Sequence, residues 1–320
     1  MNGRSFTATT WSCSGGREVT VDIPAGLRES IADEATSADW LAGLPALTAE
    51  YLDRWRLQRD GRVMHGVCAL VLPVRTTDGT PAVLKLTWPH EEATYEDRAL
   101  AHWNGAGAVR LLAADPDAYV LLLERLHADR DLTGVLLDDA LTCVGRLLRR
   151  LNTPAAGPFT RVADRVDDWS AEIGAALRQP SNGIPRRLLE AAAAVLSDDP
   201  SAGAPVLLHT DLHYENVLAA DREPWLAIDP KPMLGNAEYE VAPLLWNRWP
   251  EATGSNDLAQ HLRRRADVVS EAAGLDRDLV AAWVVVREAV EAVDALETPD
   301  DDWRQTSVTI GEAFLPRLRS

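Results

Sequence analysis

Lysine is almost absent from this chain. Of its 32 basic residues only Lys85 and Lys231 are lysine, and the other 30 are arginine, which a genomic codon preference for arginine explains by default. Lysine carries a compact point charge that the planar arginine guanidinium does not reproduce. Positions that keep lysine under such a bias are therefore candidates for a specific task. A Walker A loop is excluded, because it needs Gly-Lys and the preceding residues are Leu84 and Pro230.

Cysteine and long apolar runs are scarce as well. Cys13, Cys68 and Cys143 are odd in number and form no Cys-x-x-Cys pair, which fits neither a disulfide framework nor a zinc site and indicates a reducing compartment. No run of about eighteen apolar residues occurs, and no apolar stretch of signal-peptide length lies near the N-terminus. We therefore predict a cytoplasmic protein without a membrane span. GxSxG, HExxH and GxGxxG are missing, which removes the simplest hydrolase, zinc protease and Rossmann interpretations.

The charge balance is strongly acidic. The chain has 49 acidic and 32 basic side chains, a formal net charge of −17 at pH 7. Nucleic-acid binders need a basic face that neutralises phosphates, so this balance argues against a nucleic-acid partner. It would suit a cationic small molecule, although acidic surfaces also serve solubility alone. Hydrophobic residues make up 46% of the 320, which is ordinary for a globular protein with a substantial core.

The hydrophobic pattern divides the chain into two unlike parts. The first contains a helix, a β-hairpin, a second helix and two further strands, predicted over 38–55, 67–75 with 82–87, 91–103, 108–113 and 119–124. The second is mostly helical, with helices over 132–151, 162–178, 186–197 and from 257 onward, and short strands at 206–208, 217–219 and 225–228. We predict an α+β, bilobal architecture with a small β-rich N-terminal lobe, 1–125, and a larger helical C-terminal lobe, 126–320. Residues 1–25 are expected to be poorly ordered or to add an edge strand.

The most specific pattern is His209-Thr-Asp211-Leu-His-Tyr-Glu-Asn216, followed by Asp229 after an apolar strand. Composition predicts only about 0.02 chance matches to His-x-Asp-x₄-Asn, so the pattern is specific. Phosphoryl transfer from ATP uses an Asp that takes the proton of the attacking hydroxyl, an Asn five residues later that binds Mg²⁺, and a separate Asp that also binds the metal. We predict Asp211 as the base, Asn216 and Asp229 as Mg²⁺ ligands, and His209 as a residue that orders the loop.

Two other interpretations of this segment are a histidine metal site and a polar turn. His209 and His213, four residues apart, would fit a metal site only on a helix, whereas 206–208 has the pattern of a strand and no further Cys or His cluster would complete the coordination. The second interpretation is that the segment is a polar turn with no catalytic role.

Lys85 lies within the apolar strand at 82–87, where a buried charge is unfavourable unless it is paired. In protein kinases a lysine of this kind binds the α- and β-phosphates and is held by a Glu of the next helix. The following helix offers Glu91, Glu92 and Glu96. We favour Glu96 because it lies on the apolar face of that helix, and Glu92 is the alternative. The alternative is that Lys85 is a surface lysine without a catalytic role.

The sequence resembles the aminoglycoside/hydroxyurea antibiotic resistance kinases, in particular the branch with streptomycin 6-phosphotransferases and hydroxyurea phosphotransferases. The similarity covers most of 40–290 and lies in segments 40–47, 55–61, 78–86, 121–126, 211–220 and 222–230. It implies a bilobal protein-kinase-like fold, ATP with Mg²⁺ as phosphoryl donor, and a small hydroxylated acceptor. It also implies adenine binding by backbone groups of the connector from Glu124 to Leu126. The nucleotide-covering loop is weakly marked, since Gly66 is the single glycine between Arg62 and Cys68.

The sequence departs from the family pattern without losing a catalytic group. Thr210 stands where Gly or an aromatic residue is common, and Asp229-Pro-Lys-Pro stands where Asp-Pro-Glu-Pro is usual. The segment Gly235-Asn-Ala-Glu-Tyr-Glu240 replaces Gly-Asp-Pro-x-x-Asp/Glu, and we expect Glu240 to pair with the catalytic loop. Two roles stay open for Lys231: it neutralises the transferred phosphate, or it is simply an exposed lysine.

The resemblance places the acceptor site after the metal-binding Asp. A polycationic acceptor would need several carboxylates and an aromatic wall. The candidates are Glu238, Trp246, Trp249, Glu251 and Asp257, with core packing as the alternative for the tryptophans.

The predicted activity is MgATP-dependent O-phosphorylation of a streptomycin-like aminoglycoside, which confers resistance. Phosphorylation of hydroxyurea or another small hydroxylated metabolite is one alternative. A non-catalytic nucleotide-binding protein is the other, although the intact set of catalytic residues argues against it. The oligomeric state is left open.

Overall fold

The computed structural model describes residues 21–179, 183–198, 200–201, 203–296 and 301–318. Residues 1–20, most of the segment expected to be poorly ordered or to add a strand, lie outside this set, as does Cys13. Cys68 and Cys143 are free thiols. In the described part of the chain, no helix combines the length and apolar character needed to cross a membrane.

Two helices precede the N-terminal sheet. α1 (Ala25–Ser30) is short, and α2 (Ser37–Arg54) matches the helix predicted over 38–55. The buried face of α2 carries Leu41, Leu44, Tyr51 and Leu52 at helical spacing. These side chains pack with the even-numbered residues of the sheet into a core of the N-terminal lobe.

An antiparallel sheet of six strands forms the rest of this lobe, in the order β1–β3–β4–β6–β5 with β2 beside β3. Its strands are β1 (Gln58–Arg59), β2 (Met64–His65), β3 (Ala69–Arg75), β4 (Pro81–Thr87), β5 (Leu111–Asp115) and β6 (Val120–Glu124). The predicted hairpin is β3–β4, with Gly79 at φ +86° in its turn. Side chains alternate along a strand, so Leu84 and Leu86 face α2 while Lys85 faces the opposite side. That alternation points the lysine toward the other lobe.

α3 (Glu96–Trp103) crosses this second face of the sheet. It is shorter than the helix predicted over 91–103, because 91–93 forms a 3₁₀ turn and Tyr95, at φ +73°, interrupts the helical backbone. The helix therefore starts at Glu96, whose side chain is buried beside Lys85. The start of the helix decides which glutamate meets the lysine.

The C-terminal lobe is mainly helical. Its helices are α4 (Leu137–Leu151), α5 (Val162–Arg178), α6 (Arg186–Ser197), α7 (Pro243–Trp246), α8 (Trp249–Thr253), α9 (Leu258–Ala273), α10 (Arg277–Asp294) and α11 (Asp301–Phe314). Its short strands are β7 (His127–Asp131), β8 (Thr160–Arg161), β9 (Val206–Leu208), β10 (Val217–Ala219), β11 (Trp225–Ala227) and β12 (Met233–Gly235), paired in the orders β11–β10–β7 and β8–β12–β9. Helix α10 runs through the core with Trp283 fully buried. The predicted bilobal α+β class is confirmed, and the boundary proposed at residue 125 lies between β6 and β7.

Candidate active site

The loop 209–216 joins β9 to β10 and is anchored at its start by one buried carboxylate. The backbone N–H groups of His209 and Thr210 donate to the two oxygens of Glu240, at 2.6 and 2.9 Å. Glu240 is fully buried, and burial raises its pKa to about 7 against the opposing effect of the two donors. This is the pairing expected for Glu240.

Thr210 has a strained backbone. Its φ of +59° is rare for a β-branched residue, whereas glycine adopts such angles without penalty. The threonine is held by its hydroxyl, which donates to the Lys231 carbonyl at 2.5 Å. The Arg287 guanidinium also approaches the Thr210 carbonyl, at 3.5 Å.

His209 is fully buried and uncharged. Its Nε2 donates to the Ile228 carbonyl at 2.9 Å, and its ring stacks 6.1 Å from that of Trp103. Burial lowers the pKa of His209 to about 4, although the charge of Asp211 acts in the opposite direction. The side chain ties the start of the loop to the residue before Asp229, so its geometry is that of a residue that orders the loop.

Asp211 and Asn216 contact each other across the loop. The Asn216 amide nitrogen donates to the Asp211 carbonyl at 2.9 Å and to Asp211 Oδ2 at 3.3 Å. It also lies 3.0 Å from His213 Nε2. Because the nitrogen takes these contacts, the amide oxygen is the atom of Asn216 suited to a metal.

Lys85 joins the two lobes. Its Nζ donates to both Glu96 oxygens at 2.7 Å and also to Asp229, which follows β11 with φ +59°. Burial alone would lower the pKa of Lys85, but Asp229 and Glu96 outweigh it and raise the pKa, so the ammonium stays charged. Burial raises the pKa of Glu96 to about 7 despite the lysine. For Asp229 the attraction of Lys85 exceeds the effect of burial and lowers the pKa.

The residues present fit a magnesium ion. Mg²⁺ prefers oxygen ligands and is usually held by one or two carboxylates together with phosphates and water. Asn216 supplies an amide oxygen, and the Asp229 side chain is 48% exposed to the cleft. No group of three or more His, Cys, Asp or Glu that could hold a metal occurs among the described residues. The alternative of a His209/His213 metal site is disfavoured, because no third His, Cys, Asp or Glu completes such a site among the described residues.

The second lysine, Lys231, lies beside the Asp211 carboxylate. Its Nζ is 3.4 Å from Asp211 Oδ2 and 3.1 Å from Glu92 Oε2. Burial acts to lower the pKa of Lys231, but the two carboxylates outweigh it and raise the pKa. Glu92, the alternative partner considered for Lys85, thus pairs with the second lysine instead.

The connector between the lobes, Glu124 to Leu126, is held by side-chain contacts to both lobes. Glu124 accepts from Arg222 Nε at 2.8 Å and from the Arg110 N–H at 3.1 Å. The side chain of Arg125 turns to the N-terminal lobe and donates to Asp60 at 2.7 Å. Leu126 packs against the core of the C-terminal lobe. These contacts make the segment predicted to bind adenine a rigid edge.

Gly66 lies in the exposed turn between β2 and β3. Its N–H donates to the Ala69 carbonyl at 2.9 Å, and nothing lies within 4 Å of the position a Cβ would take. The turn therefore leaves open space at the residue predicted for the nucleotide-covering loop.

The predicted acceptor residues have diverse contacts. Trp246 donates to Glu288 at 2.6 Å, and Trp249 packs against the large core. Glu238 accepts from the Asp276 N–H at 3.2 Å. Two of the carboxylates contact their own segments: Glu251 pairs with Arg248, three residues earlier, and Asp257 caps α9 by accepting from the Gln260 N–H.

A polar group on α10 was not among the predicted site residues. Arg287 stacks 4.4 Å over the Tyr239 ring and donates to the Tyr239 carbonyl at 3.1 Å. Together with Glu291 and Trp169 these residues line a cavity of about 30 Å³. The signal available in the sequence was the Arg-Glu-x-x-Glu run within an otherwise apolar helix. Through its contact with the Thr210 carbonyl, Arg287 also joins α10 to loop 209–216.

The chain is similar in sequence to known antibiotic kinases. The model of the aminoglycoside/hydroxyurea antibiotic resistance kinase family matches residues 54–298. The chain is 41% identical to streptomycin 6-kinase of Streptomyces glaucescens, over 92% of this chain and 97% of that enzyme. It is 39% identical to hydroxyurea phosphotransferase of Kitasatospora aureofaciens, over 93% and 87%.

The fold has solved counterparts. The crystal structure of an aminoglycoside phosphotransferase aligns with a TM-score of 0.58 at 13% identity, covering 86% of this chain and 99% of that one. This likeness confirms the bilobal protein-kinase-like fold. The family match and the identities confirm the resemblance seen in the sequence. The chain is therefore a small-molecule phosphotransferase and belongs to the aminoglycoside/hydroxyurea antibiotic resistance kinase family.

Proposed function

We propose that this protein transfers the γ-phosphoryl group of MgATP to a hydroxyl of a streptomycin-type aminoglycoside and so confers resistance. The observation that carries the proposal is the convergence of Asp211, Asn216, Asp229 and Lys85 on one cleft between the lobes. The streptomycin 6-kinase that is 41% identical to this chain supports the acceptor class. Solved kinases of this fold that hold ADP or AMP-PNP with hygromycin B support ATP as the donor.

Asp211 would act as the base. It accepts the proton of the acceptor hydroxyl as that oxygen bonds to the γ-phosphorus, while the bond to the bridging oxygen breaks and ADP leaves with the electron pair. Asn216 holds the Asp211 backbone and carboxylate, so the base is already oriented. General-base catalysis of this kind contributes about 10²–10⁴-fold.

Lys85 and Asp229 would exchange partners when the nucleotide binds. In the structure the Lys85 ammonium is shared between Glu96 and Asp229. Phosphate oxygens of ATP would compete with Asp229 for this ammonium. Asp229, released from Lys85, and the Asn216 amide oxygen would then hold Mg²⁺, which would supply positive charge against the phosphates. Glu96 keeps Lys85 in position throughout.

The rest of the nucleotide site follows from the connector and the β2–β3 turn. Backbone groups between Glu124 and Leu126 would bind adenine, and the turn at Gly66 would cover the phosphates. We keep Glu238, Trp246, Trp249, Glu251 and Asp257 as the proposed acceptor-side set. Residues 1–125 and 126–320 are the proposed lobes, and a cytoplasmic location stays a prediction.

A second candidate acceptor is hydroxyurea, favoured by the hydroxyurea phosphotransferase that is 39% identical to this chain. ADP release with ATP and Mg²⁺ across streptomycin, other aminoglycosides and hydroxyurea separates the two. We expect turnover with streptomycin and a loss of about 10²–10⁴-fold in Asp211→Asn, a variant of nearly the same shape. Turnover with hydroxyurea alone would replace the aminoglycoside proposal. Full activity of Asp211→Asn would mean that another group is the base.

A further inference from the structure

We propose that Lys231 is a further catalytic residue: its ammonium donates a hydrogen bond to the phosphoryl group in transit, from its position beside Asp211. The inference rests on phosphoryl transfer at Asp211, and it holds whichever acceptor is used.

Two hydrogen bonds to the backbone of Lys231 fix its position beside the loop 209–216. Its N–H donates to the His209 carbonyl at 3.0 Å, and its carbonyl accepts from the Thr210 hydroxyl at 2.5 Å. Lys231 also follows Asp229 by two residues. These links place it between the base and the second metal-ligand candidate, at the point where the loop and the segment after β11 meet.

The side chain reaches the reacting position. Lys231 Nζ lies 3.4 Å from Asp211 Oδ2 and 3.1 Å from Glu92 Oε2, and 38% of the side chain is exposed to the cleft. An ammonium has three N–H donors, so two carboxylates leave a third for a phosphoryl oxygen. An acceptor hydroxyl must lie about 2.6–3.2 Å from the base, which brings the attacked phosphorus close to this ammonium.

The chemistry favours lysine here. In the transition state negative charge spreads over the equatorial phosphoryl oxygens, and a fixed cationic donor at that point stabilises it. Lys231 stays protonated, because the hydroxyl proton goes to Asp211 and the leaving electron pair goes to ADP. A compact ammonium fits between two carboxylates and a phosphoryl group, whereas a planar guanidinium needs more room. That requirement explains a lysine at this position in a chain whose other basic residues, apart from Lys85, are all arginine.

The competing explanation is an ion pair between the lobes. Glu92 lies on the 3₁₀ turn of the N-terminal lobe and is 61% exposed, so its pair with Lys231 is accessible to solvent. Exposed pairs contribute little, because water and salt screen them. Glu92→Gln removes this pair and keeps the Lys231–Asp211 contact, so it is the matched control for substitution of Lys231.

The test uses the full chain with Lys231→Met, Lys231→Arg and Glu92→Gln. Two readouts are needed: kcat and KM for MgATP, and calorimetric binding of MgADP with and without aluminium fluoride, which mimics the phosphoryl group in transit. For Lys231→Met we expect kcat to fall about 10²–10³-fold with KM changed less than about threefold. Binding with fluoride should weaken about 10²-fold while MgADP alone binds as before. Lys231→Arg should recover about tenfold of the lost kcat, since it keeps the charge.

Three results would overturn the inference. Equal losses in Glu92→Gln and Lys231→Met would assign Lys231 to the pair between the lobes. Unchanged kcat and unchanged fluoride binding in Lys231→Met would make it an exposed lysine. A parallel loss of MgADP binding and of thermal stability would make its role structural. If the wild type phosphorylates no aminoglycoside, the proposed function fails, but fluoride binding still decides the role of Lys231.

Discussion

The two lysines of this chain pair with different carboxylates and differ in how far they are buried. The Lys85 side chain, from the N-terminal lobe, is 9% exposed and pairs with both oxygens of buried Glu96, with Asp229 as its second partner. Lys231, from the C-terminal lobe, is 38% exposed and contacts Asp211 and the exposed Glu92. A buried ion pair cannot lose one partner cheaply, whereas an exposed pair exchanges easily. The difference suits a fixed anchor for the nucleotide on one side and an ammonium free to meet a moving group on the other.

The largest expected effect comes from breaking the buried pair. Lys85→Met leaves Glu96 buried without its cation, so we expect the free energy of unfolding to fall by about 3 kcal/mol and kcat/KM to fall by about 10³-fold or more. Denaturant unfolding and steady-state kinetics measure the two losses. The double variant Lys85→Met/Glu96→Gln removes both charges and should regain stability without regaining activity. Recovery of both would show that the lysine serves the fold alone.

The stability of the protein should depend on pH through His209, which is buried without a charged partner. The pKa of His209 is lowered by burial from 6.5 to about 4, so the folded state binds fewer protons than the unfolded state between these values. Its contribution to stability is complete above pH 6.5 and is lost as the pH falls toward 4, by about 3 kcal/mol.

Urea titrations between pH 4 and 7 on the wild type and His209→Gln measure this term. We expect the variant, which keeps an N–H donor for the Ile228 carbonyl, to lose stability less steeply on acidification. Equal slopes would show that other groups account for the acid sensitivity.

The backbone support of Lys231 offers a smaller effect. Thr210→Gly relieves the positive φ but removes the hydroxyl bond to the Lys231 carbonyl, so we expect stability to change by less than about 1 kcal/mol. Because Lys231 is then held less firmly, kcat should fall about threefold to tenfold. Thr210→Ser keeps the hydroxyl and serves as the control, with kcat close to that of the wild type. Equal kcat in all three proteins would separate the threonine from catalysis.

The smallest effect is expected at Glu92. Its pair with Lys231 is exposed, so Glu92→Gln should change the free energy of unfolding by less than about 0.5 kcal/mol. Denaturant unfolding at low and high salt measures it, with Glu96→Gln as the buried counterpart. A loss at Glu92 as large as that at Glu96 would contradict the contrast between the two sides of the cleft.

Local patterns predicted much of this molecule. The hairpin β3–β4, helix α2 and the loop 209–216 follow from alternation, helical spacing and a short motif. The predicted starts of two helices were wrong. α3 starts late because Tyr95 adopts a positive φ that spacing does not reveal. The helix predicted over 132–151 starts at Leu137, because Leu132–Gly134 forms a 3₁₀ turn instead. The strands β1, β2, β7, β8 and β12 were not predicted, since segments of two to five residues are too short to carry a clear period.

The site divides in the same way. The sequence by itself determined which residues are candidates for the chemistry, because residue type, spacing and the rarity of lysine are local properties, and Asp211 with Asn216 is a contact over five residues. The tertiary structure decided which of these residues meet: Lys85 with Asp229 over 144 residues, His209 with Glu240 over 31, and Arg287 with Thr210 over 77. Such pairings depend on how the lobes and α10 pack. The energy of a buried charge depends on residues that are close in space but far apart in the sequence.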